Sequence, residues 1–500
     1  MTAAPTHEAV AAAIAGLDRA VLTGSRWFGG KGRPVREVVL AEAFPLPGPG
    51  AHVLAVVTVG YEPGAGPADR YLIPVTGVSG RFQPAVEGDG AWRALALAIA
   101  GGATIPALVP AAEAEADAGR ARESGSIGAV SAALVCRPAP ALGELVPGAP
   151  GAVEGLAERA LGADQSNTSV VLGERLLLKS FRWLQPGLNP DLELSAYLAE
   201  EAGFPAVPRL GGYAELVSRT AGTATVAMLQ EYIADGEDGY ESVAETLTGW
   251  LLAPGEVSVE FATEIAADLG ALTAGLHAAL AGARGVPDFE PRPATRAELR
   301  GWHRAARQQL ERAVEITPGE PGRDLRELAP AIAEELTVFE ALSDEPLLTR
   351  VHADYHLGQV LIAPDGFRII DFEGEPTRPL EERRAHGSPL RDVASMLRSL
   401  DHVGRSAGRR AAERNGGPLA RTGLDLDGWL VRSRERFLAA YRAGLRERGT
   451  PVVVDPALVR AFEIEKECYE FIYASTYLPD WLWAPAEGMR ALVESGGPAR

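Results

Sequence analysis

The run LLTRVHADYHLGQVLIAPDGFRIIDFEGEP places His352, Asp354 and Gln359 in one short segment and Asp371 and Glu373 about twelve residues further on. Phosphoryl transfer needs few covalent players: a carboxylate that orients and deprotonates the attacking hydroxyl, and hard oxygen ligands for the metal ions bridging the phosphates. This segment supplies both. Asp354 is the candidate base.

The surrounding pattern says how these residues must be held. The spacing H-x-D-x4-Q is that of a kinase catalytic loop with Gln at the position usually held by Asn, and IIDFE reads as a metal-binding Asp at a strand end. A hairpin around Pro364-Asp365-Gly366 joins the two. Such a loop calls for a Lys on an upstream strand and a Glu on the helix after it. LLLKSF supplies Lys179 and NPDLELSAYL supplies Glu193. Before them GADQSNTSVVL offers Ser166, Asn167 and Thr168 as a strand-turn-strand over the phosphates, although it also reads as an ordinary polar hairpin. VAMLQEYI ends in Gln230, Glu231 and Tyr232, where two lobes would join and backbone groups would receive the adenine. Arg391 and Asp392 stand at a helix start, where Asp392 either anchors the catalytic loop or serves the helix dipole.

Composition bounds the remainder. With 48 basic and 67 acidic residues the formal charge is −19, which repels polyanions, so nucleic acid is not an expected partner. Only Cys136 and Cys468 occur, in no paired spacing, which argues against a disulfide framework and fits a reducing cytoplasm. The first twenty residues lack a basic region and read as an amphipathic helix rather than a signal peptide, and no run approaches a membrane span.

In coarse order the chain reads as three parts. Residues 1–95 carry alternating, half-buried strand patterns such as HVLAVVTVGY, forming an N-terminal cap with an antiparallel sheet. Residues 96–232 hold an intermediate unit and the sheet-containing N-lobe, and the stretch AAEAEADAGRARESGSIGA marks a loop or boundary. Residues 233–500 turn mainly helical, with 3.6-residue periodicity around one strand pair.

HADYHLGQVL, IIDFEGEP, SNTSVVLGERLLLK, PGLNPDLE and YEFIYASTYLPDWL together resemble the actinobacterial maltokinase-like and glucosamine kinase family over nearly the whole chain. The resemblance implies an α+β, bilobal, protein-kinase-like fold of the aminoglycoside phosphotransferase type with an extra N-terminal cap, into which SRWFGGKGR fits. It implies ATP and Mg2+ as cofactors, Asp354 as base, Gln359, Asp371 and Glu373 as metal ligands, and Lys179 paired with Glu193.

The family divides by acceptor, and EIEKECYEFIYAS departs from the maltokinase-like pattern D-K-A-L-Y-E-V-A-Y-E by placing Glu467 at an Ala position and Ala474 at a Glu position. Glu463, Glu467 and Glu470 share a helical face and repel one another unless something cationic sits among them. A sugar ammonium would relieve that repulsion, so the expected reaction is phosphorylation of D-glucosamine at its 6-hydroxyl, with Tyr473 also at the acceptor. Maltokinase activity giving maltose 1-phosphate, aminoglycoside phosphorylation, and a non-catalytic nucleotide- or sugar-binding module remain the alternatives.

Overall fold

The computed structural model describes residues 4–110, 132–162, 167–219, 222–253, 257–342, 345–375, 378–417 and 424–494. Two compact units result: residues 1–196 with 208–234, and residues 197–207 with 235–500. The linker-like stretch 111–129 lies outside the described residues, as does Ser166. Among the described residues no helix is long and apolar enough to cross a membrane.

The first unit holds two antiparallel sheets. In one, β1 (Val35–Pro45), β2 (His52–Tyr61) and β3 (Asp69–Val78) run side by side, with the short β4 (Arg81–Pro84) also paired to β3. Here the sequence expectation of half-buried strands needs correction. β2 is buried on both faces: Leu54 and Val56 pack into one core beneath α2 (Ala91–Ala100), whereas Val53, Ala55, Val57 and Val59 pack into another beneath α1 (His7–Ala15) and Phe28. A run of alternating small and branched apolar residues with helices on both sides has no solvent face to make polar.

The second sheet follows the order β5 (Thr104–Pro106), β6 (Ala132–Pro138), β11 (Leu210–Ser218), β12 (Gly222–Glu231), β9 (Leu176–Ser180), β8 (Thr168–Leu172), β7 (Glu158–Ala160). Between β9 and β11 the short β10 (Trp183–Leu184) returns to pair with β3, and α3 (Pro190–Ala196) follows. The core that contains Leu54, Leu72 and Trp92 of the first sheet continues into Leu134, Leu178 and Val226 of the second. One continuous core therefore crosses the point where the sequence suggests a boundary at 95.

The second unit is helical: α4 (Gly239–Leu252), α5 (Glu264–Ala281), α6 (Arg296–Ile316), α7 (Gly319–Glu335), α8 (Pro389–Arg414), α9 (Leu426–Glu447), α10 (Pro456–Tyr477) and α11 (Trp483–Glu494). Local chemistry sets the ends. Thr295 and Glu298 form a capping box for α6, and α8 and α10 each begin with Pro after a capping Ser388 or Asp455. α5 and α9 approach closely because Gly270 faces the Phe437 carbonyl, where a Cβ would come within 2.3 Å. The hairpin of Val360–Ala363 with Gly366–Ile369 closes through Pro364 and Asp365, as the turn residues require.

Candidate active site

The loop bearing Asp354 is pinned from behind by α8. The backbone N–H groups of His352 and Ala353 both donate to the Asp392 carboxylate, at 2.8 and 3.0 Å, so Asp392 acts as the loop's anchor. His277 on α5 reaches the same carboxylate at 3.3 Å and Tyr441 of α9 at 2.7 Å. His352 is wholly buried, its Nε2 lies 3.0 Å from the Ile370 carbonyl and its ring stacks near Phe372, tying the loop to the following strand end. These bonds hold an unusual backbone. Ala353 and Asp371 have φ of 69° and 65°, a region that costs a residue with a side chain roughly 1–3 kcal/mol, and they flank the chemistry.

Asp354 then projects into a network of charge. Lys466 of α10 places Nζ 3.3 Å from Asp354 Oδ1 and 3.1 Å from Glu470 Oε1, and His356 Nε2 stands 3.8 Å from Asp354 Oδ2. Burial alone would favour the protonated acid, but Lys466 and the two neighbouring imidazoles outweigh it and hold Asp354 below the usual carboxylate range. Lys466 is held above its ordinary value because Glu470 and Asp354 overcome the effect of burial. Burial pushes His356 the other way, down. A cavity of about 400 Å³ opens beside Asp354, lined also by Glu470, Tyr473, Tyr240 and Trp481.

Gln359 donates its amide to Asp371 Oδ2 at 3.2 Å, so the two are already gathered. The carboxylates of Asp371 and Glu373 lie within 4.8 Å of one another and are oxygen donors of the kind a hard divalent cation takes, while Gln359 turns its amide nitrogen to Asp371. In the first unit Lys179, buried on β9, donates to Asp191 Oδ2 at 2.7 Å. Asp191 lies two residues before the expected Glu193, which is buried on the same helix.

A model of the phosphotransferase enzyme family matches residues 158–448, more than half the chain, and one of the maltokinase N-terminal cap domain matches residues 22–94. The chain belongs to the phosphotransferase enzyme family. Similar proteins include a glucosamine kinase of Streptacidiphilus jiangxiensis, 34% identical over 67% of this chain and 73% of the relative, and one of Mycolicibacterium smegmatis, 30% identical over 68% and 80%. A solved glucosamine kinase superposes with a TM-score of 0.72 at 27% identity, covering 97% of this chain and 99% of that one. A second, in complex with glucosamine, ADP and inorganic phosphate, gives 0.69 at 27% identity over 98% and 100%.

Within this phosphotransferase three sequence expectations change. Glu463 and Glu467 do not line the cavity beside Asp354. Both are fully buried against α8, where Arg398 bonds each at 3.1 Å, Arg434 grips Glu463 with two nitrogens and His402 meets Glu467 at 3.1 Å. The cation that the acidic face demands is an arginine of the chain itself. Glu470 and Tyr473, by contrast, do face the cavity.

The second change concerns the segment expected to receive the adenine. The N–H of Glu231 donates to Arg209 O at 2.9 Å and that of Tyr232 to Arg175 O at 2.9 Å, so neither is available to a base. The Glu231 carboxylate is held by Arg209, and Tyr232 receives a bond from Arg159. Gln230 is nearly buried in β12. Third, Thr168 accepts from Arg182 at 3.2 Å, which makes it partly structural, while Asn167 sits half-buried beside it.

Sequence reasoning missed Asp191, although it lies within the motif PGLNPDLE, and the contact of Lys466 with Asp354. A Lys twelve positions from an Asp is a legible spacing only when the helix start is known. The Lys466 contact bridges 112 positions and leaves no local signal.

Proposed function

We propose that this phosphotransferase moves the γ-phosphoryl group of ATP to the 6-hydroxyl of D-glucosamine, giving glucosamine 6-phosphate and ADP. The observation that carries the reading is Asp354, kept ionised by Lys466 and open to a cavity of sugar size. The names of the glucosamine kinases described above point the same way. In the reaction Asp354 accepts the proton of the acceptor hydroxyl as its oxygen bonds to phosphorus, and the bond from phosphorus to the ADP oxygen breaks. Glu470 and Tyr473 orient the acceptor, and Lys179, fixed by Asp191, positions nucleotide phosphate. Gln359 and Asp371, with Glu373, would hold Mg2+, which supplies neutralisation of phosphate charge when bound.

The test is turnover of a panel of glucosamine, glucose, maltose and kanamycin with ATP, scored by ADP release and by the phosphomonoester signal in 31P NMR. Glucosamine is expected to give the highest kcat/KM. The match to a maltokinase cap favours maltose as the second reading, and turnover confined to maltose would replace the first.

A further inference from the structure

A second cavity of about 250 Å³ borders the catalytic loop at Ala353, and three of its walls carry buried polar atoms without a hydrogen bond inside the protein. Both carboxylate oxygens of Glu465 on α10, the side-chain oxygen of Gln309 on α6 and the hydroxyl of Ser395 on α8 lack a hydrogen-bond partner. Glu465 is only 4% exposed. Arg391 stands 2.9 Å from Glu465 Oε2, yet its N–H bonds are not aimed at the carboxylate, so the pair is Coulombic and the oxygens keep their accepting capacity. Arg391 is itself held over the rings of Phe462 and Trp302, at 4.5 and 5.5 Å, and so cannot swing readily to close the gap.

Unsatisfied buried acceptors are costly in a folded protein, and three converging on one space call for a ligand that donates. All four oxygens accept. Arg378, Arg383 and His386 line the same cavity with donors, so the wall suits a sugar, whose hydroxyl and amino groups donate to these four oxygens and whose hydroxyl oxygens accept from those donors. The two cavities share Ser395, Lys466 and Tyr469 in their walls, so a molecule presenting a hydroxyl to Asp354 has the second cavity at its side.

We infer that the Glu465, Gln309 and Ser395 cavity is a subsite for the acceptor, taking the donor-bearing edge of the sugar while Asp354 meets the reacting hydroxyl. The inference rests on the sugar kinase reading, but not on which sugar is phosphorylated. It assigns acceptor recognition on α10 to Glu465 in place of Glu463 and Glu467.

The experiment measures Glu465→Gln, Gln309→Leu and Ser395→Ala, each checked for an unchanged melting temperature, with the best acceptor found in the panel. Glu465→Gln is expected to raise the acceptor KM about 10- to 100-fold, and the other two about 3- to 10-fold, with kcat altered less and the KM for ATP unchanged. Should Glu465→Gln fold poorly, Gln309→Leu and Ser395→Ala carry the test, because neither removes a bond seen inside the protein. Acceptor KM values equal to wild type in the folded variants would overturn the subsite while leaving the kinase reading intact. Absence of phosphorylation of every sugar by the wild type would overturn the kinase reading and the subsite with it.

Discussion

Glu463 and Glu467 on one flank of α10, and Glu465 and Glu470 on the others, are one residue type within eight positions, yet they meet different fates. The first pair is locked by Arg398, Arg434 and His402 into a buried ion network. Glu470 faces the catalytic cavity through Lys466, and Glu465 faces the neighbouring cavity beside Arg391. What separates them is how fully they are enclosed: Arg398, Arg434 and His402 surround the first pair, whereas Glu465 meets Arg391 of the same α8 through one oxygen and Glu470 meets Lys466. An acidic helix face is therefore no evidence of a cationic ligand until the cations packed against it are known.

The largest break of this comparison is Arg398→Met, which strips the buried partner from Glu463 and Glu467. Loss of about 3–5 kcal/mol of unfolding free energy is expected in urea denaturation, as for other broken buried pairs. A loss below about 1 kcal/mol would mean that the network is not structural. Next comes Lys466→Met. Without its charge, burial pushes the Asp354 carboxyl up, so the acid limb of kcat/KM should move to higher pH, and activity should fall more at about pH 5.5 than at about pH 8. An unmoved limb would show that Lys466 does not set the ionisation of Asp354. Glu470→Gln should lower kcat/KM about tenfold with little change in melting temperature, the reverse of what Glu463→Gln should do. Equal effects of the two on stability would erase the distinction between the flanks.

The smallest effect is the pH dependence of His402→Gln. Burial opposes protonation of His402, but Glu467 prevails, aided by Glu470 and Asp401, and its folded value lies above the ordinary imidazole value. The stabilisation from this pair is fully present below that ordinary value and is lost as pH rises through the folded one. The stability advantage of wild type over His402→Gln should shrink between about pH 6 and pH 9, read by thermal melts; a gap that widens would contradict the assignment.

The comparison also shows which parts of the site a sequence can reveal. His352, Asp354, Gln359 and Asp371 lie within twenty residues, and the hairpin that joins them is written in Pro364, Asp365 and Gly366, so this part of the site and its local fold are legible. Asp392 could be assigned to the loop or to a helix dipole until the loop's N–H groups were seen to point at it. Arg398 and Glu463 are 65 positions apart, and nothing in either segment encodes that they meet. Burial of β2 on both faces is likewise fixed by α1 and α2, which flank it in space but not in its own pattern. Period and motif register neighbours along the chain; tertiary pairing decides the charges.

The most direct test of the account is steady-state turnover of glucosamine by wild type and Asp354→Asn, with ADP binding measured on both. The account predicts a fall in kcat of about 10²- to 10⁴-fold in the variant with nucleotide affinity unchanged, as for loss of a general base. Turnover by Asp354→Asn at the wild-type rate would contradict it.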